Sequence, residues 1–479
     1  MALLPVDACV IGAGPAGCVM AARLAQLGFA VCIVERASFP RPHLGESLSP
    51  GVLTLLEAIG ARRGVESSGV TRVRTVLSNW EGSFTERVDP REQGLLVDRG
   101  RFDAVLLERA RTLGAMVLQP AVVRERAHRD DGWHLVVDAG GTSRRLRARF
   151  VIDATGRAAW LPGRRRRTGP RTVALHAYWA GGRLPTQPRI EAGADAWYWG
   201  VPLPDGVYNT LVFVDGASLR GRFASSREAR FRELIGRSRL MDGCGRPRLA
   251  GPVLAADATP YLDEVSVTRT QIKVGDSALA IDPLSSSGVQ KAIQTALSGA
   301  IVVNTLLRKP ECSDAAIRFY GDSLAQASDR HRAWATGHYA TVSARETGSF
   351  WSARSAPLAP LATPVAPAPP EEIGSQITSN ARVQLSADAE LVEVPRLGAE
   401  FVGLGPALRH PALETPVAYL GGWELAPLVR EVRTGMTPLQ VVHSWSPRVP
   451  FESGVAIAGW MLGRGILVPS PESLRVERP

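Results

Sequence analysis

Apolar and polar positions follow two regimes along the chain, one continuous and one alternating. The opening "VDACVIGAGPAGCVMAARLAQLGFAVCIVER" begins with an apolar run, Val6–Ile11, that reads as a buried strand. A glycine turn, Gly12-x-Gly14-x-x-Gly17, follows, and the spacing predicts an apolar helix over Ala16–Leu27, stopped by Gly28. Ala30–Val34 is the next strand and ends at Glu35. Another helix is predicted near 100–114 ("RGRFDAVLLERARTLG"), then strand-rich sequence from "GWHLVVDAG" to "ARFVIDATGRAAWL". From about 170 to 262 the pattern alternates, is rich in aromatics and carries turn signals such as "PDG" and "VDG", which predicts an antiparallel sheet. The strand-like "IKVGDSALAIDP" then leads into a helix from Gly288 to about Leu307, and helix-like sequence continues to about 350.

"SAPLAPLATPVAPAPPEE" (Ser355–Glu372) is a Pro/Ala linker and marks a domain boundary. Beyond it, "PVAYLGGWELAPLVREVRTGMTPLQVVHSW" and "GVAIAGWMLGRGILVP" predict a separate unit with three short amphipathic helices and a closing β-like run. The second of these helices opens at Thr437-Pro438, a good helix start.

With 479 residues, two or three domains are expected. A hydrophobic content of 45% and a charged content of 21% fit a soluble globular protein. No apolar run approaches the roughly 18 residues of a membrane span, and the start lacks a signal-peptide pattern. The five cysteines are scattered, without a CxxC pair, and read as buried reduced thiols of a cytoplasmic protein. Only three of the 56 basic residues behind the net charge of +10 are lysines: Lys273, Lys291 and Lys309. The run Arg164–Arg167 reads as a solvated loop or as a contact for an acidic partner or phosphate. No motif supports nucleic-acid binding, and no metal-ligand set is predicted.

The glycine turn carries the first specific chemistry. Within a strand–turn–helix–strand unit, Gly12, Ala13, Gly14, Pro15, Ala16 and Gly17 let backbone approach a pyrophosphate at a helix N-terminus. Glu35, placed at the end of the next strand, can accept hydrogen bonds from a ribose diol. A second stretch, "IDPLSSSGVQKAI" (Ile281–Ile293), puts Ser and Gly amides at a helix start, which favours negative charge there.

Taken in order, GAGPAG at 12–17, "GESLSP" at 45–50, "LVDRGRFDAVLLERA" at 96–110, "DATG" at 153–156, "WYWGVP" at 197–202 and "GDSALAIDPLSSSG" at 275–288 resemble one family. It is the FAD-dependent monooxygenases of the glutathione-reductase-like fold, in the branch with tryptophan halogenases and geranylgeranyl reductases. The resemblance covers roughly residues 5–350. It implies an α/β fold with a Rossmann FAD-binding domain (1–75, 96–165 and 265–310) and an antiparallel-sheet substrate domain (76–95 and 166–264). A helical extension (311–354), the linker (355–372) and a small winged-helix-like domain (373–479) follow. It further implies FAD contacts from Arg36, Arg99, Val122, Asp276, Ser287, Gly288 and Val289 beside the glycine turn and Glu35. His43, Glu46, Ser47, Trp199 and Pro283 are placed near the reacting centre.

The reaction is less specified. "WYWGVP" resembles the halogenase signature W-x-W-x-I-P, with Val201 in the Ile place, but a halogenase also needs a lysine after the GESLSP loop. Between Glu46 and Asn79-Trp80 this chain has Arg72 and Arg74 and no lysine, and an always-charged arginine is no substitute. Hydroxylation of an aromatic ring by a flavin C4a-hydroperoxide, with O2 as co-substrate, needs no such lysine. The appended C-terminal unit suggests a polypeptide substrate, as in a family member that hydroxylates a Trp side chain on the way to a quinone cofactor. A halogenase or hydroxylase of a free aromatic compound and a geranylgeranyl-reductase-like enzyme are the alternatives. The reductant is NAD(P)H directly or a partner flavin reductase.

Overall fold

The computed structural model describes residues 3–88, 94–204, 206–218, 226–356 and 380–471. The chain divides into two compact units, Met1–Ala356 with Ala399–Phe401, and Pro357–Gly398 with Val402–Pro479. The linker predicted over Ser355–Glu372 lies, from residue 357 on, outside the described residues.

The first unit is built on two large sheets. One contains the strands Met116–Leu118, Val31–Val34, Leu3–Ile11, Thr142–Asp153, Gly132–Ala139 and Ala121–Arg129 in that spatial order, with Gln271–Lys273 paired to Thr142–Asp153. Leu3–Ile11 runs parallel to both Val31–Val34 and Thr142–Asp153. Parallel strands are buried on both faces, which is why Ala8–Val10 and Val31–Val34 read as continuous apolar runs. The helix Pro15–Gln26 packs against the helices Arg99–Thr112 and Gly288–Arg308 over this sheet. The Asp98 carboxylate caps the second of these by accepting from Arg101 N at 2.9 Å.

The other sheet has the order Arg248–Leu249, Thr172–Ala180, Tyr208–Asp215, Ala196–Pro202, Arg189–Ala192, Thr75–Asn79 and Thr85–Val88, with Leu254–Asp257 also on Thr172–Ala180. Its pairs are antiparallel except one: Arg189–Ala192 runs parallel to Thr75–Asn79, where two separate excursions of the chain meet. Alternation splits its residues cleanly. Leu175, Ala177, Trp179, Tyr198, Val212 and Val214 face one core with Phe231 and Leu234 of the helix Arg227–Ile235. Ala174, Trp197, Leu211 and Phe213 face the opposite core, covered by Tyr339 of the helix Ser313–Ser343 and Trp351 of the helix Ser349–Ser355.

In the second unit, the helices Leu425–Glu431, Pro438–Trp445 and Phe451–Gly463 surround a core containing Leu428, Val441, Trp445, Ile457 and Met461. The middle helix opens with a reciprocal capping box between Thr437 and Gln440, the start its sequence predicts. Three two-stranded sheets complete the unit: Val383–Leu385 with Leu467–Pro469, Glu390–Leu397 with Val402–Arg409, and Tyr419–Leu420 with Trp423–Glu424. Trp445 is fully buried and its indole N–H donates to Leu428 O at 2.9 Å. Among the described residues, no helix is long and apolar enough to cross a membrane.

Candidate active site

The glycine turn, the "DATG" turn and the loop from Gly275 leave the C-terminal ends of the neighbouring parallel strands Leu3–Ile11, Thr142–Asp153 and Gln271–Lys273, the position where open α/β sheets bind ligands. The glycine turn shows why each glycine is there. Gly12 has φ 101°, and a Cβ on it would lie 2.6 Å from Ala154 O. A Cβ on Gly17 would lie 1.9 Å from Gly12 O. Backbone packing alone therefore demands both. Gly14 differs: its φ of −69° suits any residue, and its Cβ would meet nothing nearer than an Arg41 nitrogen at 3.9 Å. Folding does not require glycine there, whereas a ligand lying close against the backbone would.

Glu35 is buried and does more than its sequence position predicts. One carboxylate oxygen accepts from Ala13 N at 2.7 Å, inside the glycine turn, and the other accepts from Ala37 N at 2.8 Å. Its own carbonyl accepts from Ala121 N, so the strand carrying Val122 starts beside it; Val122 is exposed, as is Arg36. Glu35 thus braces the turn and keeps spare acceptor capacity at its rim.

The loop His43–Pro50 is held from two sides. Arg99 donates twice to Asp103, at 3.0 and 3.2 Å, and to Leu44 O at 2.8 Å, so its guanidinium is committed to fastening this loop to the helix. Asp103 is fully buried and also lies 3.5 Å from Arg41. On the other side, Glu46 accepts from Tyr178 OH at 2.7 Å, Asn209 Nδ2 at 3.0 Å and Gly45 N at 2.9 Å. Burial, and then the adjoining Glu46 carboxylate, push the Tyr178 phenol up, so it stays a donor. Glu46 is thus the tie between the loop and the second large sheet, through residues whose sequence positions carry no signal. Ser47 pairs in a short strand with Leu96, and His43 is exposed with Nδ1 2.8 Å from Leu44 O.

The third loop closes the opposite side. Asp276 follows Gly275 in a short 3₁₀ turn anchored to the "DATG" strand end by Ser277 Oγ to Asp153 O, 2.6 Å, and Val274 N to Asp153 O, 3.0 Å. Burial alone would raise the Asp276 pKa, but the Lys291 ammonium and the Arg157 guanidinium outweigh it and hold the carboxyl low. Further on, Asp282 caps the turn Pro283–Ser285 by accepting from Leu284 N at 3.0 Å and takes a second bond from Tyr339 OH at 2.9 Å. Burial pushes the Asp282 pKa up. Ser286 adopts a left-handed conformation, φ 50°, and Ser285 and Ser287 bond to one another, so the serines are spent on shaping the turn. Ser287 provides no side-chain cap for the helix Gly288–Arg308, and a Cβ on Gly288 would meet nothing within 4 Å. The first amides of that helix, near Gly288 and Val289, carry the positive end of the helix dipole.

Between the loops lies an aromatic wall. Trp197 is buried and stacks on Phe213 at 3.7 Å, with Trp80, Tyr339 and Trp351 around it, so it is a core residue. Trp199, two residues on and on the same face, is half-buried; with Leu44 of one loop and Leu284 of the other, it packs on this cluster. In the Arg164–Arg167 run, Arg164 and Arg166 pair with Glu264, while Arg165 lies over the Tyr261 ring and donates to Arg157 O at 2.9 Å. Among the described residues there is no cluster of potential metal ligands.

Residues 5–170 match the model of an FAD binding domain. A tryptophan 2-halogenase of Chondromyces crocatus is 31% identical over 369 residues, spanning 72% of this chain and 70% of that protein. A flavin-dependent halogenase of Armillaria mellea is 29% identical over 391 residues, 71% of this chain and 73% of that protein. Among solved structures, the peptidyl tryptophan dihydroxylase QhpG, essential for tryptophylquinone cofactor biogenesis, superposes with a TM-score of 0.74 at 28% identity, covering 96% of this chain and 99% of that chain. The halogenase CmlS shares the fold, with a TM-score of 0.80 at 21% identity over 98% of this chain and 96% of that chain. The open cradle at Gly14 and the uncapped helix start at Gly288 suit a dinucleotide, and with these relatives they establish that the chain belongs to the FAD-dependent monooxygenases of the flavin-dependent halogenase branch.

Proposed function

We propose that this enzyme hydroxylates an aromatic ring, an indole of a Trp side chain in a partner polypeptide, on a route to a quinone cofactor. The observation that carries this reading is the fate of the lysines. Lys273 is buried in an ion pair with Asp263, and Lys291 is buried in one with Asp276. Lys309 lies at the far end of its helix against the Phe401 ring. The segment between Glu46 and Trp80, where a halogenase's relay lysine is expected, contains none. Halogen transfer would lack its relay residue, while ring hydroxylation needs only a dry, oriented pocket and a proton source. Similarity to QhpG across the whole chain supports a polypeptide as the substrate, and the unit from residue 373 as its grip.

In this reading FAD, reduced by NAD(P)H or a partner reductase, supplies oxygen activation. The backbone of Gly12–Gly17 cradles its pyrophosphate, with Glu35, Arg36 and Val122 toward the nucleoside. Asp276 would accept from the ribityl hydroxyls, and the amides of Ser287, Gly288 and Val289 would stabilise negative charge that develops on the flavin. Arg99 and Glu46 fix the His43–Pro50 loop, which with Ser47, Pro283 and Trp199 excludes water and orients the substrate ring. The domain limits follow the sequence: FAD domain 1–75, 96–165 and 265–310, and substrate domain 76–95 and 166–264.

Halogenation of a free indole is the second reading, favoured by the 31% identity to the tryptophan 2-halogenase. Mass spectrometry of products formed under isotopically labelled oxygen in high bromide separates the two. Labelled oxygen in the product with no bromine pattern is expected; an enzymatic bromine pattern would overturn the hydroxylase reading.

A further inference from the structure

Lys291 is a buried cation in a chain with only three lysines, and it sits directly behind the site. It lies in the first turn of the helix Gly288–Arg308, its Nζ 2.7 Å from Asp276 Oδ1 and also donating to Leu279 O. Its side chain is 3% exposed whereas that of Asp276 is 36% exposed. The ammonium is therefore the inner partner of the pair and the carboxylate the outer, partly exposed one. Arg157 flanks the other oxygen, with Nε 3.6 Å from Asp276 Oδ2, and is itself 3.6 Å from Asp257. Tyr261 OH fixes the loop by donating to Asp276 O at 2.6 Å. His43 is the remaining titratable group that acts on Asp276. A methionine or leucine would fill the Lys291 site without the desolvation cost of a buried ammonium, so the charge is there for its partner.

We infer that Lys291 is a positioning residue for the cofactor: it holds Asp276 ionised and aimed into the cleft, as a standing acceptor for the hydroxyls of the ribityl chain. The inference rests on the reading of Asp276 as a flavin contact. The direction of the Asp276 pKa agrees: burial pushes it up, and Lys291 is the strongest influence pulling it down. Without the ammonium, Asp276 is left with burial and the more distant Arg157. It then takes up a proton as pH falls, and a neutral carboxyl is a weaker acceptor.

The test is the FAD Kd of the full-length protein, read by flavin fluorescence between about pH 5.5 and 8.5, where an unperturbed carboxyl does not titrate. Wild type sets the baseline, including whatever the nearby His43 contributes, and the variants are read relative to it. Lys291→Met should weaken binding about tenfold at the acid end relative to the alkaline end, the factor that one pK unit supplies. Lys291→Arg should restore the wild-type profile; if Lys291→Met does not fold, Lys291→Gln takes its place against the arginine variant. A wild-type profile in Lys291→Met or Lys291→Gln, while Asp276→Asn binds FAD weakly, would overturn the inference and leave the Asp276 reading standing. Undiminished FAD binding in Asp276→Asn would instead remove the reading beneath it.

Discussion

Replacing Gly14 by valine should separate ligand binding from folding at the glycine turn. The position has φ −69° and ψ −179°, extended backbone in which a β-branched residue is comfortable, and its Cβ would have 3.9 Å of clearance. Gly14 is the N-cap of the helix Pro15–Gln26 and makes no side-chain cap bond, so the substitution costs at most about 1 kcal/mol of helix capping. Apo-protein melting should therefore shift by less than about 4 °C. Binding is another matter. The side chain fills the cradle and displaces about two charge-assisted bonds from backbone amides to phosphate, each worth about 1.5–3 kcal/mol. FAD affinity should fall by about 10² to 10⁴-fold, enough for the protein to purify colourless. Gly17→Ala is the contrast, because its Cβ would collide with Gly12 O at 1.9 Å and destabilise the fold itself by about 3 kcal/mol or more. Absorbance of bound flavin and thermal melting of the apo proteins read both quantities. A Gly14→Val protein with full FAD content would refute the cradle, and one that melts as early as Gly17→Ala would show that Gly14 serves folding.

Three further outcomes follow from single contacts. Arg99→Met leaves Asp103 fully buried with only Arg41 nearby, so chemical denaturation should show a loss of about 3–5 kcal/mol. Tyr178→Phe removes one of three donors to Glu46; it should cost about 1.5–3 kcal/mol and lower product formed per FAD, with flavin content preserved. Asp282→Asn keeps both accepting interactions through its amide oxygen but removes a carboxyl whose folded pKa burial raises. The folded wild type binds more protons than the unfolded chain above the ordinary carboxyl value of about 4, so its stability declines as pH rises through that window. The asparagine variant should accordingly melt higher than wild type at neutral pH and not at pH ~4; the opposite ordering would refute the assignment.

Much of this architecture was legible because it is local. Gly12, Gly14, Gly17 and Glu35 fall within one strand–turn–helix–strand unit, and the helix predicted over Ala16–Leu27 forms at Pro15–Gln26 because periodicity and a glycine stop act over a few residues. The helix from Gly288 forms for the same reason. What was not legible is non-local. The sequence predicted an antiparallel sheet, and its parallel junction depends on Arg189–Ala192 meeting Thr75–Asn79 more than a hundred residues away. Nothing at Tyr178 or Asn209 marks them as partners of Glu46, since any strand residue of the right parity would look the same. The bond of Arg99 to the Leu44 carbonyl is likewise non-local, fixed by helix register and loop placement together. Lys291 did carry a signal: a lysine in the first turn of an apolar helix, in a chain that otherwise uses arginine, is a charge kept for a reason.

The C-terminal unit offers the sharpest test of the substrate class. It has its own core around Trp445 and Leu428 and is separated in sequence from the flavin unit by the Pro/Ala-rich stretch, so truncation after residue 372 should spare most of the first unit. The exception can be named. Ala399–Phe401 clusters with the first unit, and its loss strips Asn304 Nδ2 of its bond to Glu400 O and Lys309 of its contact with the Phe401 ring. Leaving the buried Asn304 unpartnered costs about 1–3 kcal/mol, a shift in melting temperature rather than loss of the fold. FAD content should survive, as should turnover of a small free indole. A module that holds a polypeptide near the flavin contributes an effective concentration in the millimolar range, so its removal should cut kcat/KM for the polypeptide by about 10² to 10⁴-fold. Because the chemistry is untouched, kcat should recover at saturating substrate. A lid or a dimerising domain predicts another pattern, in which peroxide escapes with every substrate or the flavin unit unfolds. Unchanged kcat/KM for the polypeptide after truncation would mean that the substrate is recognised by the first unit alone.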